Sequence, residues 1–199
     1  MNNRINKLQQ EILNCKKCGL SRERLNPVIG EGNLNAEIMF IGEAPGANED
    51  KTGKPFCGRS GDILDELLMS SGMNRQDIYI ANTVKCRPPK NRNPKEEEIR
   101  LCAVFLDLQI NLIKPKIICC LGNFSTSYVM KKYNLNDKIQ GISNIHGQVF
   151  FAESSYGKIK VIPFYHPAVV VYNMNKKKVL EKDFCMLKKY ISISGGKKC

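Results

Sequence analysis

Four short apolar runs, separated by segments of helical periodicity, limit the folds open to this chain more than any other feature. The runs are rich in β-branched and aromatic residues and show little strict alternation, which is typical of strands covered on both faces. They span residues 36–42, 77–84, 116–122 and 160–166. Apolar residues at helical spacing predict helices over 62–71, 95–113, 125–133 and 176–190. Strands that alternate with helices predict a parallel sheet with right-handed crossovers.

Length and composition favour one domain. The chain has 199 residues, of which 42% are apolar, enough for one substantial core. Neither an internal repeat nor a Gly/Ser-rich or Pro-rich linker interrupts it. We therefore expect a single α/β domain over residues 1–199, which includes the cysteine-containing N-terminal segment and the basic C-terminal tail.

The charge balance favours a polyanionic partner. The chain has 31 Lys and Arg against 19 Asp and Glu, a formal charge of +12, which favours nucleic acid over an anionic membrane surface. The N-terminus lacks the apolar core of a secretory signal, and no run has the roughly 18 apolar residues of a membrane-spanning helix. We expect a soluble intracellular monomer that acts in the cytoplasm or nucleoid and does not bind membranes.

Polar motifs follow three of the apolar runs, where the predicted strands end. Taken alone, the turn after residue 42 is most simply a structural turn. Because the carboxyl ends of parallel strands meet at one edge of a sheet, three such ends together favour a ligand site. Nine cysteines are also present. An odd number in a chain of this size does not suit a disulfide framework, so metal ligation is the better interpretation.

Six short motifs occur in a fixed order. They are Gly42-Glu43-Ala44-Pro45-Gly46, Glu49-Asp50, Gly53-Lys54-Pro55-Phe56, Gly58-Arg59-Ser60-Gly61, Asn82-Thr83-Val84-Lys85-Cys86-Arg87-Pro88-Pro89 and His166-Pro167. This ordered set resembles the family 4 uracil-DNA glycosylases, which contain an iron–sulfur cluster, over roughly residues 8–190. The resemblance implies their three-layer α/β fold, with a central four-stranded parallel sheet flanked by helices. It also implies a monofunctional DNA-repair hydrolase that releases uracil from single- or double-stranded DNA and leaves an abasic site.

The resemblance implies a structural [4Fe–4S] cluster with four cysteine ligands. These are Cys15, Cys18, Cys86 and Cys102. A C-x-x-C pair can offer two sulfurs to one centre while two distant cysteines complete it, but this spacing does not distinguish zinc from iron. Excision of uracil is hydrolytic and needs no electron transfer. The remaining cysteines are assigned no function, and they are Cys57, Cys119, Cys120, Cys185 and Cys199.

Three residues are expected to bind the base after it has been flipped out of the helix. The Phe56 ring would stack on the pyrimidine, and the Asn82 amide would pair with N3–H and O4 of uracil. His166 would donate a hydrogen bond to O2, where negative charge develops as the bond breaks. A core Phe, a turn Asn and a structural His are the alternative interpretations.

The catalytic water needs an orienting group. The resemblance implies that this family lacks the water-activating Asp of the family 1 uracil-DNA glycosylases, and here Ala44 stands in its place. Glu43, with the backbone of Gly42 and Ala44, is the candidate, although a carboxylate here could equally hold the loop. Glu49 is expected to close the C5 side of the pocket and disfavour thymine.

DNA contacts are expected from three sets of residues. Arg59, Ser60 and Gly61 open a predicted helix, whose N-terminus suits phosphate. Apolar residues after His-Pro would enter the gap left by the flipped base, or else belong to the core. The basic residues are Lys85 and Arg87, and the apolar ones are Val169 and Val170.

Two rival functions remain at this point. The first is a non-catalytic nucleic-acid-binding module stabilised by a metal cluster. The second is a zinc-dependent base deaminase, but the chain lacks the His-x-Glu and Pro-Cys-x-x-Cys motifs of that class. A uracil-release assay separates these hypotheses.

Overall fold

A computed structural model describes residues 2–190; Met1 and residues 191–199, including Cys199 and the basic tail, lie outside the described part. Within residues 2–190 one sheet has six strands, ordered β1-β3-β2-β4-β6-β5. They are β1 (Glu31–Gly32), β2 (Ile38–Gly42), β3 (Tyr79–Asn82), β4 (Ile117–Leu121), β5 (Phe150–Ser154) and β6 (Gly157–Phe164).

The four predicted runs form the centre of the sheet, where β3, β2, β4 and β6 are mutually parallel. The sheet has six strands rather than the four expected, because β1 and β5 add antiparallel edges to the four central strands. Sequence patterning missed both for physical reasons. β1 has only two residues, and β5 is an edge strand with alternating exposure that reaches β6 through a tight turn at residues 154–157.

Helices fill the intervals between the strands. They are α1 (Asn2–Leu13), α2 (Ala47–Thr52), α3 (Arg59–Ser70), α4 (Glu96–Ile113), α5 (Asn123–Lys132), α6 (Ile142–Ile145), α7 (Val169–Tyr172) and α8 (Asn175–Cys185). Short 3-10 turns cover Gly19–Arg22, Arg75–Asp77, Pro89–Asn91, Asn136–Lys138 and Met186–Tyr190. The acidic first turn of α4 stabilises the positive end of that helix, and the Glu98 carboxylate accepts a hydrogen bond from the Lys95 N–H at 2.7 Å.

The sheet separates two apolar cores, which gives three layers. Alternate residues of β2 point to opposite faces: Phe40 packs with the apolar side of α3 and α8, whereas Met39 packs with α4 and α5. A third apolar cluster joins α1 to α4 and contains the four cysteines predicted to bind a metal. Across residues 2–190, every helix is too short or too polar to cross a membrane.

Candidate active site

A cavity of about 490 Å³ opens at the carboxyl ends of β2, β3 and β6. We call it the base cleft, and its walls include Glu43, Phe56, Asn82, Asn91 and His166. Ala44 and Glu49 also line it. The residues predicted to surround the substrate, which span more than 120 positions of the sequence, therefore meet at one edge of the sheet.

Gly42 allows two of these side chains to approach the strand end. Gly42 pairs with Asn82 in the register of β2 and β3. A Cβ on Gly42 would lie 2.3 Å from Oδ1 of Asn82 and 2.9 Å from the Phe56 ring. Both distances are too short for any residue but glycine. Asn82 is 2% exposed, and its side-chain amide makes no hydrogen bond within residues 2–190, so the amide can bind a ligand.

His166 is held as a neutral ring of defined tautomer. Its Nδ1 accepts a hydrogen bond from the Ala168 N–H at 3.2 Å, so in the neutral ring the proton is on Nε2. Burial lowers the pKa of His166 to about 4. The ring also stacks on Phe56, with the centroids 5.5 Å apart and the planes at 25°. A neutral imidazole with a free Nε2–H can donate a hydrogen bond at neutral pH.

The two carboxylates of the base cleft differ in their surroundings. Burial raises the pKa of Glu43, and no hydrogen bond in the described part of the chain uses its carboxylate. The Glu49 carboxylate instead accepts from the Gly46 N–H at 3.1 Å, which caps α2. Glu43 is therefore available for chemistry, whereas Glu49 is fixed as part of the wall.

The loop after β3 forms the opposite wall of the base cleft, a role that sequence reasoning missed. Lys90 and Asn91 both have left-handed backbone angles, with φ of 54° and 55°. Arg92 anchors the loop through two hydrogen bonds to the Glu98 carboxylate, at 2.8 and 2.7 Å. Arg87 donates from Nε to Oδ1 of Asn91 at 2.7 Å. Neighbouring Pro and Asn residues were the only sequence signal of this turn.

The structure corrects several residues predicted to contact DNA. Lys85 is 1% exposed and cannot reach a phosphate. Val170 is 3% exposed and belongs to the core, with Val169 packed beside it. The Gly61 N–H donates to the Gly58 carbonyl at 2.6 Å, so it is not free to bind an anion. Arg59 is exposed, Ser60 lines the base cleft and Arg87 is partly exposed.

An exposed aromatic residue stands where Val169 and Val170 were expected to act. Tyr172 ends α7, is 89% exposed and lines the base cleft. Met174, two residues later, is also exposed. Val169 and Val170 were predicted to form either a wedge or part of the core. In this one-turn helix Val170 is buried and Val169 is partly buried, whereas Tyr172 faces outward.

The four predicted metal-binding cysteines line one small cavity of about 10 Å³ beside α1 and α4. We call it the cysteine cavity, and its cysteines are Cys15, Cys18, Cys86 and Cys102. Arg24 donates to Sγ of Cys86 at 3.0 Å, and the Lys85 N–H donates to Sγ of Cys102 at 3.2 Å. Within residues 2–190, no three His, Cys, Asp or Glu side chains close on the geometry of a single metal ion.

Lys85 connects the cysteine cavity to the base cleft. Its ammonium donates to the Asn82 carbonyl at 2.8 Å and to Oε1 of Gln109 at 2.7 Å. The Gln109 amide in turn donates to the Ile29 carbonyl and the Tyr79 hydroxyl. Burial lowers the pKa of Lys85 to about 8, and the neighbouring cysteine sulfurs oppose that shift. A buried cation therefore fixes the strand end that carries Asn82.

Comparisons with known proteins all point to the same protein family. The model of the uracil DNA glycosylase superfamily matches residues 29–188. The type-4 uracil-DNA glycosylase of Saccharolobus solfataricus is 49% identical over 187 residues, covering 93% of this chain and 85% of that protein. The Sulfurisphaera tokodaii enzyme of that name is 45% identical over 181 residues, with 90% and 81% covered. That of Archaeoglobus fulgidus is 42% identical over 180 residues, with 90% and 89% covered. The chain therefore belongs to the uracil DNA glycosylase superfamily and, within it, to the type-4 uracil-DNA glycosylases.

Proposed function

We propose that the chain hydrolyses the N-glycosidic bond of deoxyuridine in DNA, releasing uracil and leaving an abasic site for base excision repair. One observation carries the proposal: the base cleft holds an unpaired Asn82 amide and a neutral His166 with its proton on Nε2. These are the donors and acceptors that a uracil edge and a departing uracil anion require. The protein acts as a monomer on DNA in the cytoplasm or nucleoid.

The flipped base enters the cleft with its face against Phe56. Flipping costs a few kcal/mol, and stacking in a closed pocket offsets part of that cost. The Asn82 amide then accepts from N3–H and donates to O4 of uracil. Cytosine presents the opposite pattern, so it leaves buried polar groups unpaired. Glu49, held by its cap on α2, lies at the wall and limits the space beside C5.

Cleavage leaves a cationic sugar and an anionic uracil. His166 donates its Nε2–H to O2 and stabilises the anion without itself becoming charged. Glu43 orients the attacking water together with the backbone of Gly42 and Ala44. Its raised pKa makes this carboxylate a better proton acceptor than an exposed one. A free carboxylate at this place also stabilises the positive charge on the sugar.

The DNA strand is bound around the mouth of the base cleft. The side chain of Arg59 and the N–H groups of Arg59 and Ser60 contact phosphates next to the flipped nucleotide. Arg87 supplies further positive charge at the opposite loop. Tyr172, in place of Val169 and Val170, fills the gap that the flipped base leaves in the stack.

The cysteine cavity suits an iron–sulfur cluster. Four thiols surround it, and N–H groups already point at two of the sulfurs, as hydrogen bonds to cluster ligands do. The buried ammonium of Lys85 offsets part of the negative charge of the thiolates. Cys15, Cys18, Cys86 and Cys102 would hold a [4Fe–4S] cluster. Once bound, the cluster supplies a covalent link between the N-terminal segment and the fold, without electron transfer in the reaction.

The test is uracil release from matched single- and double-stranded oligonucleotides, with thymine-containing DNA as the control substrate. The proposal expects free uracil and an abasic site from both uracil substrates. A protein that binds both DNAs and releases no uracil is instead the non-catalytic binding module. Iron and zinc content, measured on protein purified without oxygen, tests the cofactor separately.

A further inference from the structure

Phe56 adopts a backbone conformation that a bulky residue rarely has. Its φ is +49°, in the left-handed region that glycine and asparagine normally occupy. Phe56 is also buried, with only 5% of its surface exposed. Such a conformation persists only where the surrounding structure fixes it. The question is therefore which groups hold this backbone in place.

Arg75 supplies the hydrogen bonds that hold it. Its guanidinium donates through Nη1 to the Phe56 carbonyl at 3.1 Å and through Nη2 to the Pro55 carbonyl. Nη1 also donates to the Asp65 carboxylate at 2.9 Å, which orients the guanidinium. Two successive carbonyls fixed by one rigid group define the peptide plane between them. The direction in which the Phe56 ring leaves the backbone is defined in the same way.

The packing around the loop depends on this arrangement. A Cβ on Gly61 would lie 1.9 Å from the Phe56 carbonyl oxygen, so α3 presses directly against the clamped peptide. On the other side the Phe56 ring stacks on His166 in the base cleft. Arg75 itself lies in a different surface depression, beside Glu31 and Asn33. It therefore reaches the base cleft only through the backbone of Phe56.

We infer that Arg75 is a positioning residue for base recognition: it fixes the left-handed Phe56 and thereby sets the plane on which the flipped base stacks. This inference rests on the proposed function, because it assigns a purpose to the Phe56 ring. A surface ion pair alone would add little, since Asp65 and Glu31 are both well exposed. The bonds to the two carbonyls are what distinguish Arg75. Lysine cannot reproduce them, because a single ammonium lacks the planar fork.

The test is the Arg75→Lys variant, which keeps the charge and removes the fork. Two quantities are measured: the single-turnover rate of uracil release, and the affinity for DNA containing 2′-fluoro-deoxyuridine, which resists cleavage, relative to the same DNA with thymine. We expect the rate to fall about 10- to 100-fold and the affinity ratio to fall in parallel. Affinity for the thymine DNA stays unchanged. Arg100→Lys, at an exposed arginine near Glu97, is the matched control and should alter neither quantity.

A double-mutant cycle shows whether Arg75 acts through the ring. In a Phe56→Leu background no aromatic plane remains, so Arg75→Lys should cost less than about twofold. Losses that multiply in the double variant would overturn the inference, as would wild-type behaviour of Arg75→Lys. If that variant does not fold, Asp65→Asn loosens the same guanidinium and should show a smaller loss that also disappears with Phe56→Leu. Absence of uracil release by the unmodified protein would instead refute the proposed function.

Discussion

The base cleft and the cysteine cavity lie side by side but are built in opposite ways. In the base cleft the polar groups that matter are unpaired, as the Asn82 amide and the Glu43 carboxylate show. Strained backbone surrounds them at Phe56, Lys90 and Asn91. In the cysteine cavity two sulfurs already receive N–H groups, and all four cysteines pack against one apolar cluster.

Under the proposed function, the difference reflects how long each ligand stays in its site. A site for a transient base must keep donors and acceptors free and hold them rigidly, which costs stability until the base arrives. A site for a resident group can be closed, because that group stays in place and contributes to folding. Changes in the cysteine cavity should therefore affect stability first, and changes in the base cleft should affect rate first.

The largest expected effect is the loss of a cysteine ligand. Cys86→Ser should remove the brown colour and about four irons per chain, and it should lower the free energy of unfolding by an amount on the order of 5 kcal/mol. Iron analysis and thermal unfolding measure both. Cys57→Ser is the control, since this exposed thiol hydrogen-bonds to the Thr52 hydroxyl at 3.0 Å, lies outside the cysteine cavity, and should leave iron unchanged. One zinc and no iron in the unmodified protein would contradict the cofactor assignment.

The next effect is on rate alone. His166→Ala should slow single-turnover uracil release by about 10²–10³-fold, or about 2.7–4 kcal/mol, while DNA affinity changes little. His146→Ala is the matched control, because His146 pairs with Asp183 at 2.6 Å and packs against the Tyr165 ring in a tilted arrangement. It should affect stability and not rate. Full activity of His166→Ala would remove this residue from the mechanism.

A change of base preference would sharpen the comparison further. Asn82→Asp should lose most uracil excision and gain weak cytosine excision, because a carboxyl group can accept from the cytosine amino group. Each mismatched buried polar group costs about 1–3 kcal/mol, and this cost sets the expected size of the discrimination between uracil and cytosine. Release of both bases is measured on otherwise identical oligonucleotides. Unchanged uracil excision by Asn82→Asp would mean that another group reads the base.

The smallest expected effect is on pH dependence. Because the pKa of His166 is about 4, the ring stays neutral above pH 5.5, and the ratio of wild-type to His166→Ala rates should be constant from about pH 5.5 to 8. The pKa in the unfolded chain is about 6.5. The stability that His166 contributes is therefore complete above pH 6.5 and declines as pH falls towards 4. A rate ratio that changes with a midpoint near 6.5 would contradict a neutral donor.

The sequence predicted the centre of the molecule better than its edges. Buried parallel strands leave continuous apolar runs, and those runs became β2, β3, β4 and β6. The strand-end motifs also predicted which residues meet in the base cleft. The two edge strands left little signal, since one is very short and the other is half exposed.

Whether a basic side chain is buried or exposed was harder to predict than which residues form a strand. A lysine is normally a surface residue. Lys85 can be buried because Gln109, which is 24 positions away, accepts a hydrogen bond from its ammonium. Arg75 lies in a polar turn, and nothing in its local sequence indicates the two carbonyls it holds. A lysine or arginine leaves the same sequence pattern whether it faces water or takes part in a buried hydrogen-bond network. The three-dimensional partner decides which.

Asn82, Lys85 and Cys86 lie within five consecutive residues, and this has a consequence for how such chains diverge. Because one ammonium supports the strand end and lies among the thiols, the two sites cannot drift independently. A descendant that lost its cysteines would keep a buried cation without its anionic neighbours, which is costly. We expect such descendants to replace Lys85 and Gln109 together with the cysteines. The residues at these two positions would then record whether an ancestor carried the proposed cluster.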